Sequence, residues 1–355
     1  MSAMRTRIGF TPNSRAHGRI LAAGLALLLL GGTAPASAQY DPEPDEVIYE
    51  EAEVPSSAPF VANRGVVTPI DQSAWSNTAS LYSQPPDPAR CFAGVLRPQT
   101  RYRFLDAFNA LRARHGLAPV RYNEGADSSA AEAALIMATN NALSHDPPPT
   151  WKCWTAAGAA AAGSSNLLGG VSSPYLTYED DDAILAEWLI EGDGDEIGHR
   201  RWLLDPYLEE TSLGRVITVL PGGVRVDSAV MKVFDFPARS ARSGRLPKAP
   251  EFVAWPQGEY PGLFFSARAR LSFSISQDPD SETIVDFSEA KIAISDGERS
   301  LPIRDRLSDN DGYGVANCLS WRVDGIVSGR TYTVTITGVR NAPRDRYSYT
   351  FRIAN

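Results

Sequence analysis

The feature that most constrains the fold is a change of hydrophobic period partway along the chain. In "RYRFLDAFNALRARHGLAPVRYN" Phe104, Phe108 and Leu111 fall at i, i+4 and i+7, one face of a helix. Gly116 follows its last turn, and Leu117 is placed to close the hydrophobic contact of a C-cap. "ADSSAAEAALIMATNNALSH" predicts a second helix, capped by Asp127 or Ser128, which runs out before His145 because "DPPPT" cannot continue it. "YEDDDAILAEWLIEG" predicts a third, with acids in the turn where the helix dipole favours them and Ile184, Leu185, Trp188 and Leu189 as the apolar side. After Pro206 the period shortens. "GRVITVL", a Pro-Gly-Gly turn and "VRVDSAVMKVFDF" read as strands. Helices first and strands late is an α+β order, not a repeated βαβ one.

The alternation then takes over. "ARLSFSISQ", "TIVDFS", "AKIAISDG", "LSWRVD", "RTYTVTITGV" and "YSYTFRI" are short alternating runs between turn residues, which predicts a small antiparallel β-sandwich over 251–355. The last two of these runs look like a terminal hairpin. Pro- and Arg-rich residues 237–250 read as a linker. Gly/Ala-rich 156–170 reads either as a low-complexity linker or as a loop whose small residues let backbone pass close to a site.

The N-terminal region has a different character. Arg5, Arg7, Arg15 and Arg19 precede the apolar run Ile20 to Leu30, and Ala36 and Ala38 stand before Gln39, the pattern of a cleavable signal peptide over 1–38. The run is short for a bilayer span. Export to the periplasm or outside the cell is therefore expected, with no stable membrane insertion after cleavage. Residues 39–90 are acidic and rich in Pro and Ser, and read as a largely disordered leader. The chain carries a formal charge of −8, and the excess of acids is larger still once the arginines of 1–38 are set aside, so nucleic acid is a poor partner. Of the three cysteines, Cys91 and Cys153 fall in one candidate domain and are paired; Cys318 is left over as a buried small hydrophobe.

Three histidines lie beyond the signal segment: His115, His145 and His199. His115 ends a helix, where a protonated imidazole suits the dipole. His145 and His199 each follow a different helix beside turn residues. The acidic stretch "EWLIEGDGDEIGHRRWLLDP" matches a calcium loop at Asp193, Asp195 and Gly198 but fails at Ile197 and Leu204, so an EF-hand is excluded and at most weak cation binding by Asp193, Asp195 and Glu196 remains. No G-x-S-x-G is present, and Ser144, Ser164 and Ser165 read as capping or turn serines. "GHRRWLLDP" reads as a short helix that buries Trp202, Leu203 and Leu204, turns Arg200 and Arg201 outward, and stops at Asp205-Pro206.

Taken in order, "FNALRARHGLAPV", a helix followed by "LSH", a Gly-rich loop with "SN", "EWLIE" and "GHRRWLLDP" resemble the CAP superfamily of cysteine-rich secretory, antigen 5 and pathogenesis-related proteins, also called the SCP domain. The likeness is greatest to bacterial exported members and covers about 91–236. It implies a CAP-type α–β–α sandwich, here followed by a small all-β immunoglobulin-like sandwich at 251–355. It also implies a cleft lined by two histidines and two glutamates. His145, His199 and Glu191 match three of these positions. Where the family has the glutamate of Gly-Glu-Asn, this chain has Ser165 before Asn166. A hydroxyl is a far weaker ligand than a carboxylate. The implied function is an exported binding module for a small ligand, lipid or envelope component. His145, Ser165, Asn166, Glu191 and His199 would line its cleft, and His145, His199 and Glu191 would hold a divalent cation such as zinc only weakly; no cofactor is required. Alternatives are a hydrolase on peptide or cell-wall material using the same cleft, and a structural or adhesive protein in which the cleft is vestigial.

Overall fold

Residues 75, 77–192, 194, 196–236, 248–277, 281 and 283–354 are described in a computed structural model, and they belong to one compact unit. The signal segment, most of the acidic leader, the linker over 237–247, and Asp193 and Asp195 lie outside these residues.

Ordered structure starts before Cys91. Strand β1 (Tyr82–Gln84) pairs antiparallel with β2 (Val95–Leu96). The buried Tyr82 hydroxyl donates to the carbonyl of Arg215 and accepts from the N–H of Ile217. The leader reading therefore fails over 77–90. One aromatic side chain with two distant backbone partners anchors a segment whose composition alone looks unstructured.

Helix α1 (Pro98–Arg114) buries Phe104, Phe108 and Leu111 as their spacing requires. It ends with Gly116 at φ 67°, while the N–H of Leu117 reaches the Arg112 carbonyl. After the short β3 (Arg121–Tyr122), α2 (Asp127–Asn140) begins at Asp127, but neither Asp127 nor Ser128 caps it. The Asp127 carboxylate is occupied instead by Arg101, Tyr122 and Ser212. The Ala-rich face of α2 lies close against strand β6 (Glu210–Leu220). A Cβ on Gly214 would stand 2.0 Å from the Ala130 carbonyl oxygen, so only glycine allows that approach.

The Gly/Ala-rich segment is neither linker nor loop. It forms helix α3 (Ala156–Ala162), capped by Thr155 accepting from the N–H of Gly158, and strand β4 (Ser165–Leu168). Alanine has the strongest helix propensity, and its small side chain lets the helix seat against α2 in a buried alanine and valine cluster. Strand β5 (Ser172–Ser173) precedes α4 (Asp181–Ile190), whose Asp180 caps the N-terminus by accepting from Ala183. Helix α5 (Gly198–Leu203) leads into β6 and β7 (Val224–Lys232). The order β3-β6-β7-β4 makes the central sheet, with β5 joined to β7.

The C-terminal part is all β, in two four-stranded sheets. One is ordered β12 (Ile303–Asp309), β13 (Cys318–Val323), β10 (Leu271–Ile275), β8 (Phe252–Trp255). The other is ordered β11 (Lys291–Ser295), β14 (Thr331–Thr337), β15 (Arg346–Ile353), β9 (Gly258–Tyr260). The terminal hairpin is β14 with β15, in register from Thr331↔Arg352 to Thr337↔Arg346. Two expectations are corrected. "TIVDFS" contributes only an isolated bridge at Asp286↔Arg340, and β9 joins β15 in parallel, so the sheets are not purely antiparallel. The architecture is α+β with a C-terminal all-β part. One hydrophobic core runs through Phe104, Trp188 and Leu203 into Trp255 and Tyr260 without a break.

The candidate cleft between His145 and His199

Glu191 is the first residue past α4 and holds a left-handed conformation, φ 53°. A non-glycine residue there costs about 1 to 2 kcal/mol, so something must hold it. Its carboxylate does so by accepting at the start of α5. Oε1 takes the N–H of His199 at 3.1 Å, and Oε2 takes that of Arg200 at 3.2 Å. These are orphan donors at a helix N-terminus, where a carboxylate is also favoured by the dipole. The same Oε1 lies 3.0 Å from His199 Nδ1. A carboxylate can only accept, so Nδ1 carries a proton, and in the neutral ring Nε2 is the acceptor. About a third of the His199 side chain is exposed, against 9% for Glu191.

His145 is held by another acceptor. Its Nδ1 donates to the Ala162 carbonyl at 2.8 Å, at the end of α3. Burial, the largest cause, pulls its pKa down to about 4, so it is neutral at physiological pH.

Ser165 and Asn166 sit beneath, on β4, both about 1% exposed. Asn166 Nδ2 donates to the His199 carbonyl at 3.2 Å and ties β4 to α5. The Ser165 hydroxyl donates to the Ala161 carbonyl at 2.6 Å, and that of Ser164 to the Ala160 carbonyl at 2.9 Å. Both close the end of α3, as the capping reading expects. The serine at the family's carboxylate position is therefore turned to the backbone.

Glu191 gives its oxygens to three N–H donors, and Ser165 gives its hydroxyl to a carbonyl.

Two expectations about neighbouring residues are overturned. At α5 Leu203 and Leu204 are buried as expected, but Arg200 and Arg201 are buried as well, at 1% and 6%, while Trp202 is only half-buried and stacks on Phe234 with ring centres 4.8 Å apart. His115 is not a protonated helix cap. It is buried, donates from Nδ1 to the Ala254 carbonyl at 3.0 Å and accepts at Nε2 from the Tyr260 hydroxyl at 3.0 Å; burial drives its pKa down to about 3. The pairing of Cys91 with Cys153 is present, and Cys318 is free and buried. Nothing in the sequence pattern marks Arg200 as a buried residue, because its partners in the C-terminal part lie about seventy positions away.

A comparison with protein families matches residues 105–217 to CAP, the cysteine-rich secretory protein family. A search of curated proteins finds no match. The matched span starts within α1, ends within β6, and contains His145, Ser165, Asn166, Glu191 and His199. Residues 105–217 therefore form a CAP domain, of the cysteine-rich secretory protein family.

Proposed function

We propose that this CAP-domain protein is an exported binding module whose cleft, lined by His145, Ser165, Asn166, Glu191 and His199, takes a small ligand, lipid or envelope component. The observation that carries the reading is the His199 imidazole, fixed by Glu191 through Nδ1 and left about a third exposed. An imidazole so held offers one directed acceptor nitrogen to a hydroxyl, amide or cation. Zinc would be held by imidazole nitrogen with little carboxylate help, and weakly. Among the described residues no helix is long and apolar enough to cross a membrane.

The test uses the full chain. Envelope lipids and cell-wall glycan fragments are added one class at a time while the His199 ring resonances are followed. A saturable shift, absent with an unrelated soluble sugar, supports the reading, and no shift with any class overturns it. For the cation, melting is compared in zinc and in chelator. A small rise with zinc that His199→Ala abolishes is expected, and identical melting contradicts that part.

A second reading, hydrolysis of peptide or cell-wall material, is favoured by one feature. A carboxylate on Nδ1 is how a general-base histidine is oriented. Activity on an ester, peptide and glycan panel that disappears in folded His199→Gln would establish it; activity that survives would place it elsewhere.

A further inference from the structure

One buried side chain ties both arms of the cleft to the C-terminal sheets. Arg200 follows His199, and its own N–H is one of the donors to Glu191. Its Nε donates to the Leu189 carbonyl at 2.6 Å and its Nη2 to the Ile190 carbonyl at 3.1 Å, the last two residues of α4 before Glu191. On the opposite side Nη1 donates to the Arg270 carbonyl at 2.6 Å and reaches the Ser272 hydroxyl at 3.3 Å. The guanidinium lies 3.8 Å from the centre of the Trp255 ring, within cation–π range.

The next residue repeats the pattern. Arg201 Nη1 pairs with Asp309 at 2.6 Å, and Nη2 donates to the Val315 carbonyl at 3.0 Å. In return Arg322, on β13, donates from Nη2 to the Gly194 carbonyl at 2.9 Å, inside the loop between Glu191 and His199. Between the carboxylate and the imidazole the sheets thus reach Gly194 through Arg322, and just past His199 they hold Arg200, which itself bonds the end of α4.

We propose that Arg200 is a positioning residue of the cleft, and that the C-terminal sheets are part of the cleft's framework, holding the 191–198 loop so that Glu191 meets His199. This rests on the reading of His199 as the cleft's presenting residue. The guanidinium is required for its shape as much as its charge. Its planar fork spans carbonyls on both sides at once, which the compact ammonium of lysine cannot do.

The measurement is the tautomer of His199 in the full chain, read from long-range proton–nitrogen correlations. In the wild-type chain the ring is expected to carry its proton on Nδ1. In Arg200→Lys most of that signal should pass to an Nε2-protonated form, because the Glu191 contact loosens. Arg322→Gln, which removes the grip on Gly194 along with the Arg322 contacts to the Arg268 carbonyl and Asp305, should move it the same way by less, and serves if Arg200→Lys does not fold. Ile294→Ala, a core truncation in the other sheet, should lower the melting temperature yet leave the His199 tautomer unchanged. A wild-type tautomer retained in folded Arg200→Lys or in Arg322→Gln overturns the inference, as does an equal change in Ile294→Ala. If the wild-type ring is itself Nε2-protonated, the cleft reading fails first, which separates the two failures.

Discussion

The CAP region and the C-terminal sheets meet with an unequal division of labour. Across their contact the CAP side supplies most of the donors: the guanidinium groups of Arg200 and Arg201 and the Nδ1–H of His115. The sheet side supplies acceptors that are mostly backbone: the carbonyls of Ala254, Arg270, Val315 and Ala316. Arg322, donating back to Gly194, and the Tyr260 hydroxyl, donating to His115 Nε2, run the other way. Charged donors on one side and carbonyls on the other teach that the contact is a specific fit. A backbone carbonyl cannot move to meet a new partner, and a buried guanidinium without one is costly. In this chain's Gly-His-Arg-Arg-Trp run, His199 is thus followed by two arginines that bond to the C-terminal sheets.

The largest effect should come from the one covalent link, which lies wholly on the CAP side. Cys91 and Cys153 close a loop with a sequence separation of 62, so removing both as serines should cost about 4 kcal/mol on the loop-entropy argument. Denaturant unfolding of the variant measures it, and the contact with the sheets should persist. Next comes the contact itself. Arg200→Ala leaves three buried carbonyls without their donor and should cost about 3 kcal/mol, with Cys318, which neighbours Arg200 and Arg201, becoming faster to label with thiol reagents.

A third test uses pH. His115 is neutral in the fold, its pKa pulled to about 3, well below the ordinary histidine value of 6.5. The unfolded chain therefore binds a proton the native chain refuses, so stability is fully present above pH 6.5 and falls as pH is lowered toward 3. The slope is about 1.4 kcal/mol per pH unit for one such group. His145, with its pKa near 4, adds in the same direction. His115→Gln should flatten the acid limb of the stability profile, and an unchanged limb would remove His115 from the account. The smallest effect belongs to Ser165→Ala, about 1 kcal/mol for a buried hydroxyl bond to Ala161, with the His199 signals unmoved.

Legibility in the sequence followed the range of the forces involved. The spacing of Phe104, Phe108 and Leu111, the Gly116–Leu117 cap and the β14–β15 hairpin are local, and periodicity and turn chemistry disclose them. The segment 77–90 was hidden because its order depends on Tyr82 reaching residues more than a hundred positions away. Residues 156–168 were hidden because alanine and glycine carry little periodic signal, although their small size is what lets α3 pack on α2. For the site, residue types and motif order pointed to His145, Glu191 and His199, but not to how Glu191 is used. A glutamate beyond a helix end reads equally as ligand, base or solvated charge. Only its left-handed backbone and the two N–H groups it meets at α5 reveal a helix cap that also aligns an imidazole.

The most direct test of the account is the protonation site of His199 in the wild-type chain and in Glu191→Ala, read by long-range proton–nitrogen correlation. The account expects Nδ1–H in the wild type and a shift toward Nε2–H when the carboxylate is removed. A wild-type ring that already carries its proton on Nε2, or one that does not respond to loss of Glu191, would contradict it.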